Sequence, residues 1–166
     1  MKLLIVALLA GLLLSGCSVP GGVETVMDSY DIPVSNINRE VTLTLPEGTA
    51  QAVMESGTGG SLYVCDGFLV SVCTLPGGDM KRSVKTVTGF DESALTVMQT
   101  LQDGYKRYDL AWSAMGEGKS QTCKAVILDD GEAHYAVTAM CDYEKAGVLN
   151  DKISEVLDSV MLTNTD

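Results

Sequence analysis

The sequence predicts an α+β domain in which an antiparallel sheet is flanked by helices. Several short segments alternate apolar and polar residues with the period of two that half-buried strands show. Turn residues separate some of these segments closely enough for hairpins. Two other stretches follow helical spacing. Hairpin-linked strands form antiparallel sheets, and amphipathic helices then cover the sheet.

The strands are predicted from this alternation and from the turns between them. For example, Val41, Leu43 and Leu45 alternate with threonines before a Pro-Glu-Gly turn. The same reasoning gives strands over 39–46, 61–75 and 108–115 and a hairpin over 123–141, with 61–75 forming a hairpin or one broken strand.

Two helices are predicted from apolar residues at helical spacing. The first begins at Asp91 or Ser93 and ends at Gly104. Its apolar residues are Ala94, Leu95, Val97, Met98 and Leu101. The second begins at Asn150 or Asp151. Its apolar face consists of Ile153, Val156, Leu157 and Val160.

The first residues have the composition of an export signal. Lys2 is the only charged residue before position 17, and the apolar run 3–14 is shorter than the roughly 20 residues that a membrane span needs. The four residues that end this segment resemble the lipobox of bacterial lipoproteins, Leu14-Ser15-Gly16-Cys17. That resemblance implies cleavage before Cys17 and attachment of a diacylglycerol to its thiol.

This organisation predicts a domain held outside the cytoplasm. We expect a signal peptide over 1–16, a lipidated tether over 17–36 and a single α+β domain over 37–166. The tether mixes Gly, Pro, Ser and acidic residues. Acyl chains on Cys17 would hold the domain at the cell membrane or the outer membrane. The alternative is an ordinary secretory signal whose cysteine joins a disulfide.

The other four cysteines predict two disulfides, because an even number of cysteines in an exported chain favours bridging. Three connectivities are open. A three-residue hairpin loop over 131–133 would set Cys123 opposite Cys141, so this bridge is preferred, and Cys65–Cys73 is the second.

The second bridge meets a geometric difficulty. If Asp66-Gly67 forms a two-residue turn, Cys65 pairs with Phe68, and Cys73 then lies on the opposite face of the sheet.

Few residues carry catalytic or metal chemistry. No cysteine spacing is CxxC, so we expect no metal site, and no cofactor is expected either. The lone histidine, His134, adjoins a turn without a GxSxG signature, and we interpret it as an exposed turn residue. Turn propensity explains the adjacent acids Asp129 and Asp130.

The charge of the chain excludes some partners. Its net charge is −11, from 11 Lys and Arg against 22 Asp and Glu, and such a surface repels phosphate backbones. We therefore expect no nucleic-acid partner. Lys81, Arg82 and Lys85 form a small basic cluster that either recognises an anion or, as we favour, protects a sheet edge.

The succession of elements resembles the PsbP-like α/β/α sandwich. The segments that carry the resemblance are VTLTLPEG, the helix from Asp91, the strand pair ending YAVTAMC and the closing helix ISEVLDSVML. It covers nearly all of the chain after the tether, and it implies a fold rather than a chemistry.

The function predicted from these observations is a lipid-anchored extracytoplasmic domain that acts without catalysis. It would bind a small ligand or an envelope protein, or organise the cell envelope. The alternatives are a secreted hydrolase that uses His134 and an assembly or scaffold factor for another envelope protein. The residues of a ligand-binding site stay unknown.

Overall fold

Nine strands and two α-helices make up the part of the chain that the structure, a computed structural model, describes: residues 38–52, 60–116 and 118–165. The strands are β1 Asn38–Thr42, β2 Ala50–Ala52, β3 Gly60–Val64, β4 Phe68–Pro76, β5 Thr96–Gln102, β6 Tyr105–Gly116, β7 Lys119–Asp129, β8 Ala133–Asp142 and β9 Met161–Thr165. The helices are α1 Met80–Thr88 and α2 Ala146–Asp158, and 3₁₀ turns span Glu92–Ala94 and Tyr143–Lys145.

Seven of these strands form one antiparallel sheet with the order β2-β3-β4-β8-β7-β6-β5. The other two, β1 and β9, form a separate antiparallel ribbon in which Val41 pairs with Leu162. Strands that are consecutive in the chain are neighbours in the large sheet, except β4 and β5, between which α1 lies.

A helix covers each face of the large sheet. On the α2 face, the helix residues Leu149, Ile153 and Val156 pack with strand residues of β4, β7 and β8, and Val41, Leu43 and Leu45 from the ribbon side add to this layer. On the α1 face, Val84 packs against side chains of β6, β7 and β8, which are Tyr108, Leu110, Ala125, Ile127 and Ala136. The predicted antiparallel sheet flanked by helices is confirmed.

The predicted helix from Asp91 to Gly104 is wrong. Residues Glu92–Ala94 form one 3₁₀ turn, and β5 follows. Apolar residues in this stretch fit helical spacing as well as alternation, and pairing with β6 decides the outcome. Asp103 and Gly104 then turn the chain, both with positive φ, into β6.

The first helix of the structure, α1, lies where a basic strand edge was expected. Its start is marked by Asp79, whose side chain accepts a hydrogen bond from the backbone N–H of Lys81. Its end is marked by Gly89, which adopts the left-handed conformation with φ of 79°. These two caps bracket a segment rich in Val and Thr, which have weak helix propensity.

The closing helix α2 is confirmed, but it begins earlier than predicted. It starts at Ala146 rather than at Asn150 or Asp151, and it ends before Val160. Ile153, Val156 and Leu157 are buried as its apolar face requires.

Candidate functional site

The predicted lipidation site lies outside the described residues. This applies to Cys17, to the rest of the lipobox and to the expected tether over 17–36. Within the described ranges, no helix is long and apolar enough to cross a membrane.

The predicted bridge between Cys65 and Cys73 is wrong, because Cys65 is a free thiol. Asp66 and Gly67 form the two-residue turn between β3 and β4, and the backbone N–H of Cys65 donates to the carbonyl of Phe68. Cys65 therefore packs on the α2 face, whereas Cys73 packs on the α1 face.

The predicted bridge between Cys123 and Cys141 is also wrong, since both residues are free thiols. The β7–β8 hairpin pairs Asp129 with His134, which shifts its register by one residue from the expected one. This slip of one residue sets Cys123 opposite Met140 and turns Cys141 to the other face. The structure therefore does not contain the two predicted disulfides.

Burial disfavours the thiolate form, which is the reactive one, for three of these cysteines. Cys65, Cys123 and Cys141 are all buried among core side chains. The pKa of the Cys123 thiol is raised to about 12, mainly because the thiol is buried and to a smaller extent because Cys141 lies nearby. Burial likewise raises the pKa of the Cys65 and Cys141 thiols.

His134 is fully buried, which corrects the prediction of an exposed turn residue. It points to the α1 face, where its Nδ1 lies 2.6 Å from the Ser83 hydroxyl on the inner side of α1. Its Nε2 has no hydrogen-bond partner in the structure and lies 3.7 Å from Asp129 Oδ1. The negative carboxylate favours the tautomer with a proton on Nε2, so we assign Ser83 as the donor to Nδ1.

Sequence reasoning missed that Ser83 and Asp129 meet at His134. Asp129 Oδ1 also accepts the backbone N–H of Gly131, and its Oδ2 lies 3.8 Å from Lys106 Nζ. No sequence signal placed Ser83 near the histidine, because α1 was not predicted as a helix. With α1 packed on the sheet, Ser83 contacts one nitrogen of the His134 ring and Asp129 lies next to the other, so the three side chains form one row.

The second acid of the turn, Asp130, points to the α2 face and anchors β1. Its Oδ2 accepts hydrogen bonds from Arg39 Nη1 at 2.6 Å and from the Tyr135 hydroxyl at 3.2 Å. Its Oδ1 accepts the backbone N–H groups of Glu132 and Ala133. Every acceptor site is thus used, and the turn propensity predicted for these acids has a structural basis.

The charges of this cluster are matched. Burial alone would raise the pKa of Asp130, but the hydrogen bonds from Ala133, Arg39 and Glu132 outweigh it and the pKa is lowered. The Arg39 guanidinium also lies 5.2 Å from the centre of the Tyr105 ring.

The basic cluster lies on a helix rather than on a sheet edge. Lys81, Arg82 and Lys85 are exposed on α1, and Lys85 pairs with Asp91 at 2.9 Å. Among the residues that the structure describes, no three His, Cys, Asp or Glu side chains meet in a group that would hold a metal ion.

Comparison with known proteins identifies the fold. No protein family and no curated protein matches the chain. The solution structure of cyanobacterial PsbP (CyanoP) from Synechocystis sp. PCC 6803 matches with a TM-score of 0.56 and 12% identity, over 83% of this chain and 99% of CyanoP.

Two further solved structures match at similar identity. A crystal structure from Bacteroides thetaiotaomicron VPI-5482 has a TM-score of 0.50 and 12% identity over 76% of this chain, which spans only 45% of that protein. LpqN, described as involved in cell envelope biogenesis of Mycobacterium tuberculosis, has a TM-score of 0.49 and 13% identity, over 79% of this chain and 87% of LpqN. The likeness to CyanoP concerns the path of the chain, and the described domain has a PsbP-like α+β fold.

Proposed function

We propose that this chain is a lipid-anchored extracytoplasmic protein whose folded domain acts by binding and not by catalysis. The anchoring part rests on one observation, the lipobox-like run that ends at Cys17 behind a short apolar segment. The partner is a small ligand or an envelope protein, and acyl chains would keep the domain at the membrane surface.

The enclosure of His134 supports a non-catalytic role. A hydrolase with a serine nucleophile needs an imidazole that reaches both the serine and the substrate. The sequence contains one histidine, and its side chain is 0% exposed beneath α1. Ser83, its hydrogen-bond partner, is buried as well.

Labelling with radioactive palmitate in bacteria that express the full chain tests the anchor. We expect the wild type to incorporate label and to sediment with membranes, and Cys17→Ala to lose both properties. Cys65→Ser is the matched control, because it removes a buried thiol from the folded domain and should keep full labelling. Undiminished labelling of Cys17→Ala would disprove lipid attachment at this residue.

A hydrolase is the second candidate, because Ser83, His134 and Asp129 lie in one row. The row departs from a working triad in two ways: Asp129 Oδ1 is 3.7 Å from His134 Nε2, and Ser83 is only 4% exposed. A fluorophosphonate probe separates the two candidates. We expect no labelling of the native protein, whereas labelling that Ser83→Ala abolishes would establish the hydrolase.

A further inference from the structure

The two open edges of the seven-stranded sheet differ in length and composition. The edge strand β2 has three residues, and short edge strands resist pairing with other chains. The edge strand β5 has seven residues, TVMQTLQ, and none of them is charged. This neutral strand belongs to a chain whose net charge is −11.

The edge formed by β5 also lacks the usual protection against strand addition. Natural edges carry lysine, proline or a bulge that discourages pairing. In β5 the pairing with β6 is continuous from Thr96 to Gln102, and no proline interrupts it. Two apolar side chains on it are exposed, Met98 at 59% and Leu101 at 74%.

The turn after β5 determines which backbone groups face outward. Asp103 and Gly104 have φ of 49° and 87°, as a two-residue type I′ turn requires, and Gln102 pairs with Tyr105. The pair that flanks such a turn exchanges both backbone hydrogen bonds, and exchange then alternates along the strand. The N–H and C=O groups of Val97, Gln99 and Leu101 therefore point away from β6, where the described part of the chain provides no further strand.

We propose that β5 pairs antiparallel with β5 of a second copy of this chain, with Gln99 on the two-fold axis. In this register, Gln99 lies opposite Gln99 of the second copy, and Val97 lies opposite its Leu101. All three outward-facing residues then form hydrogen-bonded pairs, which gives about six backbone hydrogen bonds across the interface. The arrangement is isologous, as a closed dimer requires.

The side chains of β5 suit this register. Leu101, the most exposed apolar residue of the strand, covers the half-buried Val97 of the second copy on the α1 face. On the other face, Met98 lies opposite Thr100, and Thr96 lies opposite Gln102. No charged side chain enters the shared strand pair, so two copies of a chain with net charge −11 can meet at this edge without like charges facing each other in the pair.

Cysteine cross-linking of the full chain, purified in detergent, tests the register. We expect Gln99→Cys to give a covalent dimer with a short bis-maleimide, because the two introduced thiols lie opposite each other. Thr96→Cys is the matched control, since Thr96 is also exposed on the same strand but would lie about 20 Å from Thr96 of the second copy at 3.4 Å per residue. Dimer formation by both variants, or by neither, would overturn the proposed register.

A charge placed on the edge tests the interface without new cysteines. Leu101→Lys should weaken dimerisation at least tenfold in sedimentation equilibrium, because it puts a cation into a strand pair that contains none. Met115→Lys is the control, as Met115 is 66% exposed on β6 away from the edge, and it should dimerise like the wild type. A monomeric wild type, or a Gln99→Cys adduct that is not twice the mass of the chain, would refute the second copy as the occupant. These outcomes do not depend on the lipid anchor.

Discussion

Ser83 Oγ lies 2.6 Å from His134 Nδ1, and this contact joins α1 to the β7–β8 hairpin in the interior of the protein. Both side chains are buried, and His134 Nε2 has no hydrogen-bond partner in the structure. The pair is therefore polar chemistry held inside an apolar layer. Removing one partner of such a pair lowers the free energy of unfolding more than replacing both partners with apolar side chains.

Removing one partner should destabilise the domain more than removing both. Ser83→Ala leaves Nδ1 buried without a donor, and we expect a loss of about 1–3 kcal/mol in the free energy of unfolding. Ser83→Ala combined with His134→Leu removes both polar groups and should recover part of that loss. Urea denaturation of the two single variants and the double variant gives the coupling energy, and strictly additive losses would contradict a direct interaction.

Acid should weaken the protein through Asp130. Its pKa is lowered in the folded state, so its contribution is present above its unfolded pKa of about 3.9 and is lost as the pH falls through the folded value. Asp130→Asn should be less stable at pH 7 and should lose less stability between pH 5 and pH 2. Thermal melts across this range measure both effects.

The exposed turn residue Asp103 provides the control for that experiment. Asp103→Asn makes the same chemical change at an exposed position, and asparagine tolerates the positive φ found there. We therefore expect this variant to fold normally and to keep the wild-type dependence of stability on pH. If Asp130→Asn also kept that profile, the hydrogen bonds to Asp130 would not govern acid stability.

Reducing agent should leave the melting temperature of the domain unchanged. The two disulfides predicted from the sequence would instead give a substantial fall under reductant, because each disulfide contributes about 2–4 kcal/mol. Cys65, Cys123 and Cys141 are present as buried thiols, so neither of the two predicted bridges exists in the described part of the chain for a reductant to break. Maleimide should modify them only after unfolding, as mass spectrometry would detect. A fall of several degrees with reductant would show that bridges form.

Two glycines should respond in opposite directions to alanine. A Cβ at Gly77 would overlap the backbone carbonyl of Glu132, to which the Gly77 N–H donates, and backbone atoms cannot move aside cheaply. Gly77→Ala should cost at least about 2 kcal/mol. Gly147, in the first turn of α2, has open space around its Cα, so Gly147→Ala should stabilise by up to about 1 kcal/mol. Denaturant melts of both variants test this contrast.

The fold class was predictable because the alternation of strands such as β6 is strong. Leu110, Trp112 and Ala114 occupy alternate positions of the predicted strand 108–115, and they pack on one face of the sheet. The β5 segment was not predictable from its own residues, because seven residues fit either period until a partner strand is known. The caps Asp79 and Gly89 were the available signal for α1.

The positions of the cysteines and of His134 depended on strand register and on a distant helix, which local sequence patterns do not contain. A register shift of one residue in the β7–β8 hairpin, which pairs Asp129 with His134, placed Cys123 and Cys141 on opposite faces of the sheet. The burial of His134 arises from α1, which lies about 50 residues earlier in the sequence and packs over it. Neither the loop length nor that helix could be derived from the hairpin alone.

The ribbon of β1 and β9 determines how the domain would carry mechanical load. Asn38 and Thr165 form its terminal pair, so a pull on the chain from residue 37 would open the ribbon one pair at a time. The next residue, Arg39, is tied to the buried Asp130 at the end of β7. If the proposed anchor on Cys17 pulls on the chain, the load would therefore reach the β1–β9 ribbon and the Arg39–Asp130 ion pair before it reached the large sheet.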